Sequence, residues 1–124
     1  MPIAQMKTNY VMDKTEKNQF LDEAARELSD ILRKPLPAIM VMLEDYSMYM
    51  NNSDDTVFFA EFRYILPDEY ADNKAGFQEE FADRMLALIQ KHTHVDPYRI
   101  YMQFTEMTRD SAWRYTGCKD KKAI

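Results

Sequence analysis

Residues 56–66, TVFFAEFRYIL, are the stretch of sequence that decides the fold. Side chains on an extended backbone point alternately to two faces. One face would carry Phe58, Ala60, Phe62 and Tyr64, and the other Val57, Phe59, Glu61, Arg63 and Ile65. Because aromatic and branched residues favour strands, this segment is predicted to be the strongest strand of the chain.

The segment before it predicts a strand, a helix and a second strand. Residues 3–10 are mixed in polarity and lack breakers, which favours a strand. Asp13 stands three residues before a glutamate and can cap a helix. Apolar residues then recur at helical spacing, at Phe20, Leu21, Ala24, Ala25, Leu28, Ile31 and Leu32. Pro35 and Pro37 end this helix, and residues 39–43, IMVML, are predicted to form a buried strand.

The segment after it repeats that order. Residues 51–55, NNSDD, are a dense turn signal ahead of the central strand. A second helical stripe comprises Phe77, Phe81, Met85, Leu88 and Ile89, with Ala82 and Leu86 beside it. Asp96 and Pro97 end that region, and residues 100–104, IYMQF, alternate as in a strand. A strand, helix and strand therefore occur twice, which suggests an internal duplication.

These elements predict an α+β fold. Duplicated β-α-β units would form a four-stranded mixed sheet with both helices on one face, because the crossovers share one hand. Residues 1–113 would form one domain, and residues 114–124 a tail with a short interface strand followed by disorder. The opposite face carries Met40, Met42, Phe59 and Tyr101, and its apolar character predicts that other subunits cover it.

Composition excludes several classes of protein. A chain of 124 residues fits one domain. Its only two glycines, Gly76 and Gly117, cannot build a nucleotide-binding loop or a nucleophile elbow. The single cysteine, Cys118, rules out a disulfide framework, and His92 and His94 lack metalloprotease spacing.

Charge and hydropathy predict where the chain acts. A net charge of −5 disfavours nucleic acid as a partner. No apolar run approaches the roughly 20 residues that a membrane span needs. The first residues also lack the pattern of a signal peptide, so we expect a cytoplasmic protein without a membrane partner.

The order of certain residues resembles the tautomerase superfamily, and within it the macrophage migration inhibitory factor and D-dopachrome tautomerase group. The similar region runs from about Pro2 to Trp113. The residues on which the resemblance depends are Pro2, Lys34-Pro35, Ile65, Asp96-Pro97, Arg99-Ile100-Tyr101, Glu106-Met107 and Trp113.

The resemblance implies a homotrimer with active sites between neighbouring subunits. Pro2 matches the catalytic base, Lys34 the active-site lysine and Ile65 the residue whose backbone amide contacts the substrate. Tyr101 matches the tyrosine that the adjacent subunit contributes, and Gln103 falls where human-type members carry an asparagine. Metals and organic cofactors are not expected.

The implied activity is keto–enol isomerisation of a phenylpyruvate-like or dopachrome-like acid. The N-terminal amine of Pro2 would act as general base, since burial and a nearby cation such as Lys34 disfavour its protonated form. Met1 must first be removed, because an amide nitrogen is not basic.

The sequence also permits other interpretations. Lys34 could instead stabilise a helix C-terminus, and Tyr101 and Gln103 could be ordinary side chains of a subunit contact.

The chain could be a cytokine-like binding protein with a residual pocket, since such relatives leave cells without an export signal. A dehalogenase or decarboxylase would need extra arginines, for which Arg63 and Arg99 are available. Finally, Pro67, Asp68 and Glu69 predict a bulkier and more acidic pocket rim than in human-type members.

Overall fold

Four strands and two α-helices follow one another in the predicted order in the computed structural model, which describes residues 2–117. They are β1 (Ile3–Thr8), α1 (Lys14–Leu32), β2 (Met40–Asp45), β3 (Phe58–Tyr64), α2 (Lys74–Thr93) and β4 (Ile100–Glu106). Short 3₁₀ turns precede β2, α2 and β4, and a fourth follows β4. The prediction of the strongest strand at residues 56–66 is confirmed as β3.

Polar caps start the two helices. The Asp13 side chain accepts a hydrogen bond from the Glu16 amide at 2.8 Å, as the sequence predicts. At α2, the Asn73 side chain accepts one from the Gly76 amide at 3.2 Å. Each cap satisfies an amide that the helix leaves without an internal partner.

The strands lie in the order β2-β1-β3-β4. β1 is parallel to β2 and β3 is parallel to β4, while the central pair β1 and β3 is antiparallel. Two β-α-β units therefore lie side by side in one mixed sheet, which confirms the predicted fold.

Both helices pack on the same face of the sheet, where the core lies. The helices bury Phe20, Ala24, Leu28, Ile31, Leu32, Phe77, Phe81, Met85, Leu88 and Ile89. From β3, the same core receives Phe58, Ala60, Phe62 and Tyr64. The two predicted helical stripes therefore form one side of this core, and the residues on one face of β3 form the other.

The opposite face, which neither helix covers, is called the uncovered face below. Three rows of paired residues cross it: Glu44–Lys7–Phe59–Tyr101, Met42–Gln5–Glu61–Gln103 and Met40–Ile3–Arg63–Thr105. Most of these side chains are polar or charged, although Met40 is 51% exposed and Tyr101 66% exposed.

The predicted strand at residues 39–43 is confirmed as β2, but the prediction that it is buried is wrong. β2 is an edge strand, and none of its residues is fully buried. Val41 and Leu43 contact the core from one side, while Met40 and Met42 lie on the uncovered face. A run of apolar residues does not reveal whether a strand is central or at an edge.

The described part of the predicted tail is short. Residues 114–117 form neither helix nor strand, and the rest of the predicted tail, residues 118–124, lies outside the described residues. Within residues 2–117, no helix is both long and apolar enough to cross a membrane.

Candidate functional site

The chain folds back on itself after α1, and this bend places Lys34. Arg33 adopts a left-handed backbone conformation with φ of 56°. The Lys34 amide donates to the Ser29 carbonyl at 3.2 Å, and the Ser29 hydroxyl donates to the Lys34 carbonyl at 2.5 Å. Both bonds hold the Lys34 backbone against the helix end, and its side chain is half-buried.

The end of β3 forms a second wall. The Met107 amide donates to the Tyr64 carbonyl at 2.6 Å, which extends the pairing of β3 with β4 beyond the last strand residues. Immediately afterwards Ile65 is buried, and Pro67 begins the turn at Asp68–Tyr70.

These two walls enclose a cavity of about 380 Å³, called the Lys34 cavity below. It is lined by Leu32, Arg33, Lys34, Ile65, Leu66, Pro67, Asp68, Glu69 and Arg109. Two of the predicted site residues, Lys34 and Ile65, thus lie at one cavity although 31 positions separate them in the sequence.

Pro2 lies at the same end of the sheet but does not line this cavity. It is buried, and its carbonyl accepts a hydrogen bond from the Met40 amide at 3.1 Å. The antiparallel pairing of Ile3 with Arg63 places the start of β1 beside the end of β3, just before Ile65. Pro2 and Ile65 therefore lie at the same end of the sheet, and Lys34 lies there too because it lines a cavity with Ile65.

Tyr101 and Gln103 lie elsewhere in the same chain. Both are exposed on the uncovered face, and Tyr101 pairs with Phe59 near the opposite end of β3. Ile65 follows Phe59 by six positions, a distance of about 20 Å at the usual rise per residue of a strand. A single chain therefore does not bring Tyr101 to the Lys34 cavity.

The electrostatics of the Lys34 cavity favour a lysine that gives up its proton more readily than usual. Burial lowers the pKa of the Lys34 ammonium, and the like charge of Arg109 lowers it further, while Asp68 opposes both effects. Glu69, one of the two predicted rim acids, pairs with Arg33 at 2.8 Å. Sequence reasoning missed Arg109, since no periodicity or motif marks a residue in a turn.

The arginines proposed for a dehalogenase or decarboxylase are both engaged. The Arg99 guanidinium donates to four backbone carbonyls of the loop before β3, at Met50, Ser53, Asp55 and Thr56. Arg63 pairs with Glu61 at 3.2 Å on the uncovered face.

The histidines serve the end of α2. His92 lies 3.0 Å from the Glu23 carboxylate, and His94 is the C-cap in a left-handed conformation. Among residues 2–117, no group of three or more His, Cys, Asp or Glu side chains could hold a metal ion.

Comparisons with known proteins agree with this architecture. The family model described as macrophage migration inhibitory factor matches residues 1–117. A structure of the macrophage migration inhibitory factor-like protein from Entamoeba histolytica aligns with a TM-score of 0.78 and 22% identity, covering 93% of this chain and 95% of that one. No curated protein sequence matches significantly.

Two further structures are similar. The macrophage migration inhibitory factor of Toxoplasma gondii aligns with a TM-score of 0.77 and 20% identity, over 94% of this chain and 97% of that one. The macrophage migration inhibitory factor of Giardia lamblia aligns with a TM-score of 0.73 and 23% identity, covering 85% of this chain and 98% of that one. At these identities the structural matches establish the fold alone.

Proposed function

The chain belongs to the macrophage migration inhibitory factor family, and from this premise we propose that it is a cofactor-independent keto–enol tautomerase. Its substrate would be a small α-keto acid, phenylpyruvate-like or dopachrome-like. The observation that carries the proposal is a half-buried lysine that lines a cavity beside Ile65, at the end of the sheet where Pro2 precedes β1.

The proposed reaction is a proton transfer at the carbon next to the substrate carbonyl. In enolisation, the Pro2 nitrogen takes the proton, and the electrons of the broken C–H bond move onto the carbonyl oxygen. The Lys34 ammonium stabilises the negative charge that develops there. A positioned base contributes about 10²–10⁴ in rate, and a preorganised donor contributes about 10²–10³. Ketonisation runs the same steps in reverse.

Removal of Met1 is a condition of this mechanism. With Met1 in place, the Pro2 nitrogen is an amide and cannot accept the proton. An intact mass of the native protein that retains this methionine would defeat the proposed base.

We propose further that the protein is a homotrimer, with each site shared between two chains. The proposal is supported by the position of Tyr101, exposed on the uncovered face and about 20 Å along the strands from Ile65. A second copy could bring its own Tyr101 and Gln103 to the Lys34 cavity. Light scattering at micromolar concentration tests the assembly, and a monomer there would contradict it.

The test of the base is Pro2→Ala, assayed by ultraviolet detection of phenylpyruvate ketonisation. We expect kcat to fall by about 10² or more, because alanine's primary amine is a differently placed and more solvated base. Pro97→Ala is the matched control, since Pro97 is exposed in a distant turn and this variant should keep its activity. Full activity in Pro2→Ala would exclude Pro2 as the base. NMR titration of the Pro2 amine adds an independent readout, for which we expect a pKa below that of an ordinary N-terminus.

A binding protein with a residual pocket is the second candidate. It is supported by large aromatic side chains that remain exposed, among them Tyr49 at 70% and Tyr98 at 88%, since such residues are enriched at protein interfaces. This function predicts an ordinary Pro2 pKa, and partner binding that survives Pro2→Ala. A dehalogenase or decarboxylase ranks lower because Arg63 and Arg99 already have partners.

A further inference from the structure

Arg109 stands on a well-defined turn at the mouth of the Lys34 cavity. Thr108 and Ser111 form a capping box around the turn Arg109–Ser111, in which the Thr108 amide donates to the Ser111 hydroxyl at 3.2 Å. The preceding residue, Met107, is bonded to the Tyr64 carbonyl. Arg109 is therefore held at a definite place beside the end of β3, although its side chain is exposed.

Two arginines line the cavity, and among residues 2–117 only one of them is in an ion pair. Arg33 and Glu69 form an ion pair at 2.8 Å and neutralise each other. The other arginine of the lining is Arg109. Within residues 2–117, no carboxylate forms an ion pair with Arg109 inside 4.0 Å. An excess cation that faces a cavity makes it attractive to an anion.

The two cations differ in the kind of oxygen acceptor that they bind best. Lys34 is half-buried and presents a compact ammonium, whereas Arg109 is exposed and presents a planar guanidinium. A guanidinium binds a carboxylate through two parallel hydrogen bonds, a geometry that an ammonium lacks. Both side chains line the same cavity, and the charge of Arg109 contributes to lowering the pKa of Lys34.

We propose that Arg109 is a specificity-determining residue that binds the carboxylate of the substrate at the mouth of the Lys34 cavity. The inference rests on the proposed tautomerase function and deepens it by naming the recognised group. In an α-keto acid the carboxylate is bonded directly to the carbonyl carbon, so two cations at one cavity can hold both groups at once. Substrates with a free carboxylate should therefore be preferred over their esters.

The kinetic test compares phenylpyruvate with its methyl ester in four forms of the full chain. These are wild type, Arg109→Gln, Arg109→Lys and the control Lys74→Gln. Lys74 is an exposed residue of α2 that pairs with Glu106 and does not line the cavity, so its variant matches the change in net charge.

For Arg109→Gln we expect kcat/KM for the acid to fall about 10-fold or more, since a charge-assisted hydrogen bond is lost. The ester should change less than about 2-fold, because it lacks the carboxylate that Arg109 recognises. Arg109→Lys should be intermediate, and Lys74→Gln should resemble wild type. Equal losses for acid and ester, or no loss for the acid, would overturn the inference.

A binding measurement separates this inference from the proposed reaction. NMR titration with 3-phenylpropionate and its methyl ester reports affinity without turnover. Wild type should bind the acid about 10-fold more tightly than the ester, and Arg109→Gln should lose that difference. A wild type that binds the acid selectively but ketonises neither substrate contradicts the tautomerase and leaves the role of Arg109 supported. An unchanged acid affinity in Arg109→Gln contradicts that role whatever the activity.

Discussion

The proposed chemistry of the site depends on the side chain of Lys34. Its backbone is bonded twice to Ser29 at the end of α1, and its ammonium faces a cavity shared with Arg109. In the proposed mechanism this cation acts only while it keeps its proton, so the pH range of the proposed activity depends on the neighbours of Lys34.

The alkaline limit of activity should move to higher pH in Arg109→Gln. Burial and the charge of Arg109 lower the pKa of Lys34, Asp68 raises it, and the Arg33–Glu69 pair contributes little net charge. Removing Arg109 therefore raises that pKa, and the ammonium survives to higher pH. The measurement is kcat against pH for wild type and variant, with Lys74→Gln as control. A limit that stays in place or moves down would contradict this assignment.

Among the secondary-structure elements, α2 begins with an N-cap, Asn73, that restricts which residue can stand at position 76. The Asn73 side chain accepts a hydrogen bond from the Gly76 amide. A Cβ added at Gly76 would lie 2.4 Å from the Asn73 Nδ2, which is too close. Glycine is therefore required here by the capping side chain rather than by its own backbone conformation.

Gly76→Ala should consequently bring little or no gain in stability. Alanine improves helix propensity by up to about 1 kcal/mol, but displacing the cap costs about 1 kcal/mol. In an Asn73→Ala background the clash is absent, and the same substitution should stabilise by about 0.5–1 kcal/mol. Urea unfolding of the four proteins in this cycle gives the coupling. Equal effects in both backgrounds would show that the cap and Gly76 are independent.

The loop before β3 depends on Arg99. One guanidinium bonds four carbonyls of the segment between Met50 and Thr56, which includes two consecutive asparagines with positive φ. The Arg99 side chain thereby connects the start of β4 with the turn that leads into β3.

Arg99→Lys should lower the free energy of unfolding by about 1.5–3 kcal/mol, because an ammonium cannot span carbonyls that a planar fork reaches. Arg26→Lys is the matched control, since Arg26 forms an exposed pair with Asp22 at 3.0 Å and should change by less than about 0.5 kcal/mol. Chemical denaturation measures both. If the free energy of unfolding falls no more in Arg99→Lys than in the control, the stability of the loop does not depend on the planar guanidinium of Arg99.

For the whole molecule, the decisive feature is that the predicted site residues occupy two separate places. Pro2, Lys34 and Ile65 lie at one end of the sheet, whereas Tyr101 and Gln103 are exposed on the uncovered face. The proposed homotrimer joins these places by placing one chain's uncovered face near another chain's cavity.

Mixing variants tests this sharing. Pro2→Ala and Tyr101→Ala should each be impaired alone. If the two chains are unfolded together and refolded at equal amounts, about one quarter of shared sites regain both wild-type residues. Activity should therefore recover to about a quarter of wild type, compared with each variant refolded alone. No recovery, from mixtures that refold as well as wild type, would place Tyr101 outside the site that Pro2 serves.

The succession of strands and helices was predictable because it follows from local periodicity. Alternation in residues 56–66 and the helical stripes each lie within one element, so their spacing alone reports the buried face. The Asp13 cap is similarly local. The burial of residues 39–43 was mispredicted because it depends on strand order, and strand order is a property of the whole sheet.

The sequence by itself determined the two β-α-β units, the face on which the helices pack and, through resemblance, the family. Those properties depend on neighbouring residues and on a recognisable order along the chain. Only the tertiary structure decided that Lys34 and Ile65 meet at one cavity while Tyr101 does not, and that Arg109 joins them. The physical reason is that these residues come from a helix end, a strand end and a turn, and only the pairing of β1, β3 and β4 sets the distances between them.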